Sequence, residues 1–275
     1  MKIVPLAPGA EKKSYYKYIH EPLTLLSDEK VKSLKTLRDD PANTLEFADR
    51  HEILTPDFVP RASGCYMLKT GGLLVSSTVE VPDITKEMMD WWMVWHQFDH
   101  LRYALWDPRD HYDVKVTPET RARLLDESKP YIERLWGTPS YVLESFNGEK
   151  PANTTICFCD PAELGYDKRV LGTENCYSMI CTKDIVKKGP FTFPVVMTEI
   201  LRKGPNGKNI WVANWWLGCT REGDTDVAGK MPVRKFIAKM VSALAVHNQI
   251  EMPHLNKVLP KLYAEYKDKN LEYEV

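Results

Sequence analysis

The sequence predicts an α+β fold in which an antiparallel sheet curls around a long carboxy-terminal helix. Two observations carry this reading. Five strand-like segments follow one another from Ser140 onward: "SYVLESF", "TTICFCD", "CYSMICTK", "FPVVMTEILRK" and "NIWVANWWLG". A single long amphipathic segment then follows them, and strands in a run before a helix segregate into sheet and helix layers.

Taken in order, residues 1–62 mix helix-like pieces with Pro-containing connections and form an amino-terminal lead-in to the main domain, residues 63–275. Ser27 is placed to cap the helix of "SDEKVKSLKTLRDD". "GCYMLK", "TGG" and "LLVSSTVEV" read as a hairpin. "TKEMMDWWMVWHQFDHLRYALW" is a helical run broken at Asp107 and Pro108, which leaves His111 in the loop beyond. Asn206 and Gly207 mark a turn between the last two strands. The long helix starts near Pro232, ends or kinks at Pro253, and is followed by a second piece, "LNKVLPKLYAEYK".

On a helical wheel of about 100° per residue, Phe236, Met240 and Leu244 form one stripe and Lys235, Lys239, Ser242 and Gln249 the opposite side. His247 and Glu251 fall on the apolar side. An ionised carboxylate taken from water without a partner costs several kcal/mol or more. Glu251 therefore needs a salt bridge, an opening to water, or a metal ion shared with His247 one turn away. In "SYVLESF", Val142, Glu144 and Phe146 share one strand face and Tyr141 and Leu143 the other; the pattern leaves open which looks inward.

Composition narrows the class. The 275 residues are 43% hydrophobic, enough for a substantial core, and the formal charge is −1 with no basic block. That excludes the electrostatic footprint of nucleic acid or an anionic membrane surface. No apolar run is long enough to span a bilayer, and two prolines interrupt the opening "MKIVPLAPGA", so a cytoplasmic protein is expected. Six scattered cysteines read as reduced thiols, with Cys157 and Cys159 as buried strand residues rather than metal ligands. Eight Trp and thirteen Tyr can wall a pocket for a flat ligand as well as fill a core.

The string "WWMVWHQFDHLRYALWDPRDHY", the strand carrying Glu144, and "HNQIEMPHLNKVLPKLYAEY" together resemble the diacetylphloroglucinol hydrolase and phloretin hydrolase family, over most of the chain from about residue 80. The opening "KKSYYKYIHEPL" resembles its phloretin hydrolase branch. The resemblance implies a helix-grip, Bet v 1-like fold and a catalytic zinc held by His111, Glu144, His247 and Glu251. Imidazole and carboxylate suit zinc, and iron, manganese or cobalt fit similar donors. It also implies a small aromatic ketone as substrate, hydrolysis of a carbon–carbon bond between an acyl group and a phloroglucinol-type ring, and suggests a homodimer. Tyr103 matches a pocket tyrosine of the family; His96, Asp107, Arg202 and Asn214 are further candidates for proton handling or orientation. Family members can carry a pocket histidine in the middle strands. This chain has no His between Tyr112 and Val246, and Thr198 or Glu199 lies near that position. The competing readings are a non-catalytic carrier of a flat hydrophobic ligand and a metal-dependent hydrolase of another bond.

Overall fold

The computed structural model describes residues 3–188, 191–229, 231 and 234–272; Pro232 lies outside them. The amino-terminal part holds short 3-10 turns, α1 (Asp28–Lys35) and the two-residue β1 (Leu37–Arg38). Ser27 caps α1 as expected, accepting the N–H of Lys30 on its side chain. β2 (Gly64–Met67) and β3 (Leu73–Glu80) form the anticipated hairpin. The helical run after it is interrupted earlier than Asp107: α2 (Lys86–Trp95) gives way to a 3-10 turn and then to α3 (His100–Ala104). Asp99 causes the restart, because its carboxylate accepts the N–H groups of Leu101 and Arg102.

His111 does not sit in a loop. It opens β4 (His111–Lys115), which is followed by α4 (Pro118–Leu124), α5 (Tyr131–Leu135), β5 (Pro139–Glu144) and β6 (Ala152–Cys157). Three long strands come next, β7 (Ser178–Lys188), β8 (Phe191–Lys203) and β9 (Asn209–Leu217), then the small hairpin β10 (Cys219–Glu222) and β11 (Thr225–Ala228). Gly207 has φ of +80° in the turn joining β8 to β9, a conformation that favours glycine.

The main sheet runs β1-β2-β3-β9-β8-β7, antiparallel except for the β1–β2 pair. A second sheet, β4-β5-β6, joins its β7 edge through a bridge between Phe158 and Thr182 and the N–H of Cys159 bonded to the carbonyl of Cys181. Two helices close the chain, α6 (Arg234–Val241) and α7 (Ala243–Tyr266). Pro253 does not end the helix: both it and Pro260 lie inside α7. Each removes one backbone hydrogen bond. Burial on nearly every side holds α7 together, with Ile250, Met252, Leu255, Val258 and Leu259 all in the core. The sheets grip this helix, so the architecture is the helix-grip arrangement.

The main sheet is covered on both faces. Val195, Leu201, Trp211, Ala213, Trp215 and Leu217 face α7 and belong to the larger core. Val196, Ile200, Ile210, Val212 and Trp216 face the other way, onto Phe47 and Ile53 of the amino-terminal part. Residues before 63 thus complete one of the two cores. Tyr15, Ile19 and Leu34 add to the other.

Candidate functional site

The backbone brings the four expected ligands together in two pairs. His111 is registered directly opposite Glu144 across β4 and β5, and α7 places His247 and Glu251 one turn apart. The face of β5 left open by its sequence is resolved: Ser140, Val142 and Glu144 are buried, while Tyr141 is exposed. The Nε2 atoms of His111 and His247 lie 3.0 Å apart. Glu251 Oε2 is 3.5 Å from the first and 3.3 Å from the second. A carboxylate oxygen of Glu144 and one nitrogen from each histidine all lie within 4.8 Å of one another.

Two imidazole nitrogens this close, flanked by buried carboxylates, require a proton or a cation between them. Without an ion, the proton goes to His247. Burial opposes its charge, but Glu251 and Asp110 raise its pKa well above the ordinary value. His111 is pushed down to about 3, by burial and then by the charge on His247.

The outer nitrogen of His111 is fixed as a metal site needs. His111 Nδ1 lies 3.2 Å from the carbonyl of Tyr103, so its N–H donates there and Nε2 keeps a free lone pair. The Tyr103 ring stacks on the His111 ring at 4.0 Å between centroids. His247 Nδ1 faces Asp107 Oδ2 at 3.6 Å and Asp110 Oδ2 at 3.7 Å. His111, Glu144 and His247, with Glu251 against both imidazoles, are donors that fit a divalent ion of the zinc type.

Asp110 is the residue that sequence reasoning missed. Its carboxylate accepts the Ser145 hydroxyl at 2.5 Å and the N–H groups of Asn147 and Gly148 at 2.9 and 2.8 Å. One carboxylate therefore ties the loop after β5 to the start of β4 and backs His247 at once. Burial raises its pKa, but His247 and Ser145 outweigh that and hold it far below the usual range. Asp107, by contrast, is pushed up to about 6, chiefly by burial. The spacing of Asp107 and Asp110 across a Pro-containing turn in "WDPRDH" was the available signal.

The remaining candidates divide by sheet face. Tyr103 is inside, its hydroxyl donating to Glu144 at 2.8 Å; burial and the Glu144 charge keep it a phenol. His96 is also on the cavity wall. Its Nδ1 lies 2.8 Å from the Trp92 carbonyl, and burial lowers its pKa to about 4. Arg202 and Asn214 are on the opposite face and cannot reach the cavity. The Arg202 guanidinium donates to the carbonyls of Ile53 and Thr55. Asn214 is paired across the sheet with Ser76 and Thr198, beneath Leu45 and Phe58. Of the two middle-strand residues, Thr198 also points outward, within 3.3 Å of the Tyr166 hydroxyl, and Glu199 points in.

The cluster lies at the wall of a cavity with about 1150 Å³ of empty space, open solvent at its mouth included. Met93, Trp106, Val142, Phe158, Met197 and Trp215 give it an apolar lining. Its scale is that of a small-molecule site.

The family model "DAPG hydrolase PhiG domain" matches residues 45–264. The chain belongs to this family. Phloretin hydrolase of Eubacterium ramulus is 31% identical over 261 residues, which cover 94% of this chain and 92% of that protein. The 2,4-diacetylphloroglucinol hydrolase of Pseudomonas protegens (strain DSM 19095 / LMG 27888 / CFBP 6595 / CHA0) is 27% identical, covering 81% and 74% of the two chains. Among solved structures, Ara h 8.0201 overlaps 67% of this chain and 99% of its own at 11% identity and a TM-score of 0.35, too distant to transfer any property. The DAPG hydrolase family is one of enzymes, and this chain is a hydrolase of that family. No helix among the described residues is long and apolar enough to cross a membrane.

Proposed function

We propose that the protein hydrolyses the carbon–carbon bond between an acyl group and a phloroglucinol-type ring, with phloretin giving phloroglucinol and 3-(4-hydroxyphenyl)propionate. The observation that carries this is the convergence of His111, Glu144, His247 and Glu251 in an apolar cavity. A carrier of the same flat ligand has no use for two buried carboxylates and two facing imidazoles, which cost stability unless a cation offsets them.

The chemical obstacle is the leaving group, since an aryl carbanion is too basic to depart. A ring with three alternating hydroxyls escapes it by taking a proton at the substituted carbon and becoming a β-diketone; the ring then leaves as a delocalised enolate. His111, Glu144, His247 and Glu251 would hold a divalent ion, zinc in our reading. Such an ion supplies Lewis acidity towards a ketone oxygen and lowers the pKa of water.

The chain's own residues prepare the rest. Tyr103 orients Glu144 through its hydroxyl and fixes the His111 tautomer through its carbonyl. Asp107 and Asp110 stand behind His247. The aromatic and aliphatic walls hold a flat ring and exclude bulk water, which strengthens every charge interaction inside.

The test is incubation of zinc-loaded protein with phloretin and with 2,4-diacetylphloroglucinol in parallel, read by mass spectrometry. Release of the free ring and the matching acid is expected, faster from phloretin. Tight ligand binding with no ring release would leave the carrier reading in its place.

A further inference from the structure

Two carboxylates on the cavity wall lie outside the ligand cluster, Asp184 and Glu199. Asp184 is engaged: its oxygens accept the N–H of Cys157 at 2.7 Å and the hydroxyl of Thr182 at 2.6 Å. Glu199 is not. Its sheet partners on either side are Ile180 and Ala213. The residues flanking it on the same face of β8 are Met197 and Leu201, so its surroundings within the sheet are apolar apart from the Trp211 indole N–H, which is directed at its carboxyl. It forms no ion pair among the described residues.

The charged groups whose fields act on Glu199 are Glu251 and His247 from α7 and Glu144 from β5. Two of the three are anions, and His247 is committed to Glu251 and Asp110. Burial, with the charge on Glu251 behind it, pushes Glu199 up to about 8.

We infer that Glu199 is held as a neutral carboxylic acid and delivers the proton that the substituted ring carbon must take up before the acyl bond can break. The inference rests on the carbon–carbon hydrolysis reading above. The substrate enters with one ring hydroxyl ionised. The O–H bond of Glu199 breaks and a C–H bond forms at the acylated ring carbon, leaving Glu199 as carboxylate and the ring as a diketone. Water then adds its hydroxyl to the acyl carbon, and its proton restores the acid on Glu199. The ring–acyl bond breaks with its electron pair staying on the ring, which departs as the phenolate while the acyl group leaves as the acid. Proton and charge counts on the enzyme are unchanged over one cycle.

Position supports this role better than a structural one. A carboxyl on an apolar sheet face whose one neighbouring donor is an indole N–H contributes nothing to folding that Gln would not. It lines the same cavity as the ligand cluster.

Two measurements on the zinc-loaded protein test it. The first is infrared difference spectroscopy of wild type against Glu199→Gln at neutral pH. A protonated carboxyl C=O band that shifts in deuterium oxide, is absent in the variant, and bleaches at alkaline pH is expected. Its absence in wild type overturns the inference whatever the substrate proves to be. The second is turnover of phloretin. Glu199→Gln should lose about 10²- to 10⁴-fold in kcat, with zinc content and phloretin affinity retained, while Glu199→Asp recovers part of the rate. The alkaline fall in wild-type rate should vanish in the Gln variant. Turnover by Glu199→Gln within about threefold of wild type, against the size expected of an acid catalyst, sinks the inference and leaves the hydrolase reading intact. A protonated carboxyl with no cleavage of any acylphloroglucinol by wild type overturns both.

Discussion

Glu199 and Arg202 stand three residues apart on β8, both buried, and meet opposite surroundings. Arg202 looks outward into the small core and spends its guanidinium on the carbonyls of Ile53 and Thr55, with the Phe58 ring 5.0 Å away. Glu199 looks inward onto aliphatic neighbours and other carboxylates. A buried charge surrounded by fixed partners fastens one part of the chain to another. A buried acid with no cation of its own stores a proton and has no such fastening role. The two faces of one sheet therefore carry different tasks, the outer face sealing the amino-terminal part and the inner face serving the cavity, and each of the following variants tests that division.

The largest effect belongs to the inner face. His247→Ala and Glu251→Ala should each lose bound zinc, read by elemental analysis, and on the order of a thousandfold or more in kcat/KM. The far-ultraviolet circular dichroism should stay that of the wild type, because the two apolar cores that hold the sheets on α7 do not include either side chain. Full metal content and turnover in either variant would break the ligand assignment. One step further out, Asp110→Asn should weaken zinc binding by about 10- to 100-fold without abolishing turnover at saturating metal. A metal titration with a competing chelator reads that difference.

The same division explains what the sequence made legible. His247 and Glu251 stood out because two polar groups interrupted an apolar helix face. Glu144 could be grouped with Val142 and Phe146 on one strand face, but which face looks inward came only from the structure, where Tyr141 is exposed. β8 and β9 offered no such alternation. Both of their faces are buried, so "NIWVANWWLG" is almost uniformly apolar, and nothing in it tells Asn214 outward from Trp215 inward. Arg202 and Asn214 were misjudged for that reason, and Thr198 and Glu199 could not be separated. Phe236 failed differently. A wheel drawn through residues 236–251 assumes one helix, but the chain breaks phase at Ser242 between α6 and α7, and Phe236 ends 55% exposed while Met240 and Leu244 reach the cavity. Register across strands, which sets His111 opposite Glu144, is a long-range property that no local pattern encodes.

Crossing to the outer face changes the observable. Arg202→Met keeps the apolar stem but leaves the carbonyls of Ile53 and Thr55 without donors, each worth about 1–3 kcal/mol when buried. Thermal unfolding should shift down by roughly 5–10 °C, while kcat and zinc content of the folded protein stay at the wild-type value. Loss of turnover in a variant of unchanged stability would place the guanidinium in the reaction and undo the contrast with Glu199.

The smallest effect is expected at Asn214, and it is the sharpest check on which way β9 faces. Asn214 lies between Ser76 and Thr198 on the outer side, with Trp215 carrying the inward direction. Asn214→Ala removes a few polar atoms from a shallow site bordered by Leu45 and Phe58, at a cost of about 1 kcal/mol or less. Phloretin turnover and its pH profile should be those of the wild type. Trp215→Ala, one residue along and on the cavity wall, should instead raise KM by removing apolar area that holds the ring, at about 25 cal/mol per Å² of surface. If the two variants exchange phenotypes, the register of β9 is off by one residue, and Glu199, fixed by pairing with Ala213 on that strand, would turn away from the cavity with it.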